Sequence, residues 1–99
     1  MKNQKLVPAA YVNKCIKKWG VQSQRNKIIE ECLELALALQ QTSCVTKDKK
    51  NNESNVYSEL ADVIIMMEQA KKIFDYERIK FNVKVKLRLL DEKYFNDEK

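Results

Sequence analysis

Five acidic residues stand where helix-forming, apolar sequence would otherwise be expected to continue. Glu30-Glu31-Cys32-Leu33-Glu34 leads into Leu35-Ala36-Leu37-Ala38-Leu39, and Glu59-Leu60-Ala61-Asp62 leads into Val63-Ile64-Ile65-Met66-Met67. On a helix, residues three apart share a face, so Glu31 and Glu34 point together, as do Glu59 and Asp62. If the two helices lie side by side, four carboxylates converge. Their mutual repulsion in a partly buried site would protonate some of them unless a cation intervenes. A hard divalent ion such as Mg²⁺ takes oxygen ligands and commonly bridges carboxylates to phosphates. Either pair alone is an ordinary solvated helix pattern. The apolar neighbours are what argue for burial, and buried acids need partners. The chain has no histidine, which removes imidazole acid–base chemistry and the Glu-x-x-His sites of di-iron bundles. A carboxylate must then act as base, or a metal must activate water.

The elements that would carry these acids are helices. One Gly and one Pro in 99 residues leave few turns. Pro8 suits a helix start, and the first helix is expected from about Ala9 to Trp19, with Tyr11, Cys15, Ile16 and Trp19 on one face and Gly20 as its stop. The second runs from about Gln22 to Gln41, and Thr42 to Asn52 reads as a polar loop. Ser54 or Asn55 would cap a third helix reaching Phe74. From Arg78 to Leu89 polar and apolar residues alternate, which is a strand pattern. No second strand exists to pair with it, whereas Ile79, Val83, Leu87, Leu90 and Tyr94 form a helical stripe. The expectation is a fourth helix from about Tyr76 to Phe95 in one all-α domain.

The pattern Glu30-Glu31-x-x-Glu34 followed by Glu59-x-x-Asp62, approached through Trp19-Gly20, Gln24 and Lys27 and containing Leu60-Ala61-Asp62-Val63, resembles the MazG-like, all-α nucleoside triphosphate pyrophosphohydrolases. The likeness covers roughly residues 15 to 90. It implies a four-helix chain assembling into a homodimer or homotetramer, and Mg²⁺-dependent attack of water on the α-phosphorus of a (deoxy)nucleoside triphosphate, releasing pyrophosphate. Glu31, Glu34, Glu59 and Asp62 would be the metal ligands, for Mg²⁺ or Mn²⁺ in its place. Glu30, with Glu34, would serve catalysis as a neighbouring acid. Gln24 would stand near the base or sugar, or simply be polar near a helix start. Lys27, one turn before Glu31, would reach phosphate or pair with that glutamate.

The chain departs from that family in its last helix, where relatives carry Lys, then Asn and Arg. Here Val85 occupies the Asn position. Lys80, Lys84 and Arg88 recur four apart and form one stripe, either a clamp for phosphates or a solvated face. Trp19 is expected mainly as a core anchor rather than a stacking platform, and Met66 and Met67 as core fillers.

A net charge of +5 suits an anionic ligand, nucleotide or nucleic acid. Cys15, Cys32 and Cys44 contain no C-x-x-C pair, so neither a disulfide framework nor a zinc site is expected, and a reduced, cytoplasmic setting fits. No signal peptide is expected, and the run Val63–Met67 is too short to span a membrane. Two competing readings remain. A helical nucleic-acid binder would rest on the charge and on Lys47, Lys49 and Lys50; a non-catalytic interaction protein would keep the fold without the chemistry.

Overall fold

The computed structural model describes residues 6–43 and 49–96, with side chains over 6–42 and 53–96. It contains four helices: α1 (Ala9–Trp19), α2 (Val21–Ser43), α3 (Lys49–Ile73) and α4 (Tyr76–Tyr94). No strand occurs among the described residues, and no helix there is long and apolar enough to cross a membrane. Residues 78–89, with their alternating pattern, are helical.

The breaks follow from local chemistry. Pro8 caps α1, its carbonyl accepting from Tyr11 and Val12 N–H at 3.1 and 3.2 Å. Gly20 ends α1 at φ 88°, a left-handed value that a side chain would resist. Its N–H returns to the Ile16 carbonyl, and its own carbonyl already accepts from Gln24 N–H. One residue therefore turns the chain from α1 into α2. Asp75 caps α4, one carboxylate oxygen accepting from Glu77 and Arg78 N–H at 3.0 and 3.3 Å.

Between α2 and α3 the structure differs from the expected loop. Thr42 and Ser43 complete α2, and Lys49–Asn52 open α3 ahead of Ser54 and Asn55. No Gly or Pro stands there to stop either helix. Residues 44–48, including Cys44 and Lys47, lie outside the described residues.

Helices α2 and α3 form an antiparallel pair that supplies most of the packing between helices. On α2 the inward positions are Gln24, Ile28, Glu31, Leu35, Ala38 and Thr42, at alternating spacings of four and three. On α3 they are Val56, Glu59, Val63, Met66, Ala70 and Ile73, with Gln69 beside them. This is the seam periodicity of paired helices. α1 lies across both, burying Val12 and Cys15, and Val7, just ahead of α1, is buried too.

α4 packs on α3 alone and has no buried residue. Of its expected apolar stripe, Ile79 is half-buried, whereas Val83, Leu87, Leu90 and Tyr94 are exposed. The backs of α2 (Ile29, Leu33, Leu37) and α3 (Tyr57, Leu60, Ile64, Met67) are also exposed, so Met67 is not in the core as Met66 is.

Candidate metal centre and adjoining cavity

The α2–α3 register brings the acids together. Gln24 Nε2 donates to Gln69 Oε1, a buried bond between the start of α2 and the end of α3. Seven residues along α2 from Gln24 stands Glu31, and seven back along α3 from Gln69 stands Asp62. In antiparallel helices these steps match, so the glutamine pair aligns the acidic segments.

Carboxylate oxygens of Glu31, Glu34 and Glu59 lie within 4.8 Å of one another. Glu31 is buried at 6% exposure, Glu59 is half-buried and Glu34 is on the exposed edge. Asp62, the fourth expected ligand, stands outside this cluster and lines the adjoining cavity.

Lys27 Nζ lies 3.1 Å from Glu31 Oε2 and 3.9 Å from Glu30 Oε1. The pairing expected for Lys27 is thus present. The bond and charge of Glu31 raise the lysine's pKa, so Lys27 stays a cation. One lysine is too little for the cluster. Glu31 Oε1 and Glu59 Oε1 are sealed from solvent with no hydrogen-bond partner. The negative charge of Glu31, then its hydrogen bond, hold the Glu34 carboxyl above its usual range, with burial and Glu59 adding to the effect. Sealed, unpartnered oxygens close to other carboxylates form a donor set that fits a hard divalent cation.

Beside the acids opens a cavity of about 610 Å³. Tyr11, Cys15 and Trp19 of α1 form one wall, Ile65 and Met66 of α3 another. Gln24 and Gln69 line it from the seam, and Glu30, Glu31, Lys27 and Asp62 stand at the acidic end. Trp19 is half exposed and faces this cavity instead of anchoring the core, because the Gly20 corner folds α1 over the first turns of α2. Lys18 Nζ lies 5.3 Å from its ring centre.

Sequence reasoning missed Gln69, which follows the apolar run of α3 and reads there as an exposed polar residue. Only its spacing from Asp62, equal to that of Gln24 from Glu31, hints at it.

The cationic stripe lies elsewhere. Lys80 pairs with Glu77 at 3.3 Å and lies 5.3 Å from the ring centre of Tyr76. Lys84 and Arg88 are exposed, and none of the three lines the cavity. Within one chain α4 does not touch α2, so the stripe and the acids are not brought together.

Set against known proteins, the chain matches no family model, no curated protein and no solved structure.

Proposed function

We propose that the protein is a Mg²⁺-dependent nucleoside triphosphate pyrophosphohydrolase of MazG-like architecture. The observation that carries this reading is the convergence of Glu31, Glu34 and Glu59 oxygens within 4.8 Å, with Glu31 also lining a cavity large enough for a nucleoside. Glu31, Glu34 and Glu59 would hold the divalent ion, Mg²⁺ or Mn²⁺ in its place, with Asp62 at the cavity side. A cation there supplies Lewis acidity toward phosphoryl oxygens.

The chain's own groups account for the rest. Water adds to the α-phosphorus, the bond from that phosphorus to the bridging oxygen breaks, and pyrophosphate leaves with the bond's electrons. The water's proton passes to a carboxylate oxygen of Glu34 or of Glu30, which lines the cavity. Lys27, held protonated by Glu31, presents a positive charge beside the site. Tyr11 and Trp19 offer aromatic faces to a base.

The working form in this reading is a homo-oligomer. Leu33 and Leu37 of α2, Leu60 and Ile64 of α3 and Leu87 and Leu90 of α4 are all exposed, apolar surface of the kind that obligate interfaces cover. The cover is a second copy on the backs of α2 and α3 and on α4, which also offers a route for Lys80, Lys84 and Arg88 to approach an acidic site.

The decisive experiment is a panel of NTPs and dNTPs with Mg²⁺, scored for monophosphate and pyrophosphate. Release of both from at least one nucleotide, lost on Glu31→Gln with folding retained, supports the enzyme. No turnover of any member at micromolar protein overturns it.

A further inference from the structure

Among the described residues buried side chains are few, yet two of them are glutamines. Gln24 is 5% exposed and Gln69 2%, and they bond to each other across α2 and α3. A glutamine amide has two N–H donors and a carbonyl that accepts twice. Their mutual bond uses one donor of Gln24 and one lone pair of Gln69. The Gln24 carbonyl and the Gln69 amine remain. Among the described residues the sealed side-chain atoms without a partner are Glu31 Oε1 and Glu59 Oε1, and neither is a glutamine atom. Both residues line the cavity, so the amide groups left over from their mutual bond stand at its wall.

We infer that the Gln24–Gln69 pair reads the hydrogen-bonding edge of the planar ring held in this cavity, and so sets the base preference of the site. The inference rests on the nucleotide reading above and deepens it. The pair presents an acceptor beside a donor, the pattern complementary to the Watson–Crick edge of a nucleobase. Tyr11 and Trp19 supply aromatic walls, which are matched to a flat ring and indifferent to its edge. Stacking would hold any base, and the amides would discriminate. If the pair only aligned the helices, a single amide bond sealed from the cavity would suffice, and apolar seam residues would pack there more favourably.

The test begins with the unmodified protein, so folding is not at issue. Each good member of the nucleotide panel is compared with its analogue methylated on the Watson–Crick edge (N3 of pyrimidines, N1 of purines), and dUTP with its C5-methyl analogue dTTP. Turnover is read as kcat/KM, and binding of the matching monophosphates by fluorescence of Trp19, the chain's single tryptophan. Edge methylation is expected to cost roughly 10- to 100-fold, and C5 methylation only a few-fold. Gln69→Met, which keeps the side chain's length, is expected to narrow the spread of kcat/KM among bases. Edge methylation without effect overturns the inference, as does Gln69→Met slowing every base equally. Hydrolysis without edge discrimination sinks the inference alone. Edge-selective binding without hydrolysis sinks the enzymatic reading alone, and no binding with no turnover sinks both.

Discussion

Lys27 Nζ sits 3.1 Å from Glu31 Oε2, while Glu31 Oε1, on the same carboxylate, is sealed with no partner. The lysine thus compensates half of a buried charge and leaves the other half directed at its acidic neighbours. Removing the lysine should expose that imbalance. Lys27→Met is expected to lower the metal-free Tm by a few degrees, because Glu31 is left buried and unpaired. Adding Mg²⁺ should restore most of the loss. Calorimetry with and without MgCl₂ checks this, and an equal drop in both conditions counts against cation binding.

Divalent ions should stabilise the fold. A ligand bound only by the native state at a hundred times its Kd adds about 2.7 kcal/mol. For a chain of this length that is a rise of roughly 10–20 °C in Tm. Ca²⁺ serves as a non-turnover probe alongside Mg²⁺. Glu31→Gln and Glu59→Gln should each abolish the rise. Survival of the full shift in Glu59→Gln would place the ion elsewhere.

The acidic cluster should make the metal-free protein less stable as pH rises. Glu34 has its folded-state pKa raised, chiefly by the charge of Glu31, so the folded chain binds this proton more tightly than the unfolded chain does. Its contribution is fully present below the ordinary carboxylate value and is lost as pH climbs through that value to the raised one. Glu34→Gln should remove this part of the slope. A chelator-treated pH series of urea midpoints measures it, and identical slopes for both proteins would refute the coupling.

The oligomer has its own test. Light scattering should give at least twice the 11.7 kDa chain mass. Leu87→Asp, at an exposed apolar position of α4, should shift the protein toward monomer. A monomeric parent protein at micromolar concentration would defeat the homo-oligomer.

Lys84→Ala with Arg88→Ala bears on the phosphate clamp. A drop in kcat/KM of about 10- to 100-fold, with mass and Tm unchanged, is expected if the stripe meets substrate. Unchanged efficiency would make it a solvated face.

The four helices were legible from the near absence of Gly and Pro, from Pro8 and Gly20 at the ends of the first, and from the spacing of apolar residues. The same helical spacing placed Glu31 beside Glu34, because a helix determines which of its own residues share a face. Relations between helices are not encoded that way. The approach of Glu59 to Glu31 and Glu34, and the position of Asp62 toward the cavity, depend on a register aligned by Gln24 and Gln69 across a long stretch of chain. The half-exposed Trp19 in the cavity wall depends on the Gly20 corner, and the separation of Lys84 and Arg88 from the acids on α4 packing against α3 alone. Periodicity says which side of a helix is apolar; only packing decides which neighbour that side meets.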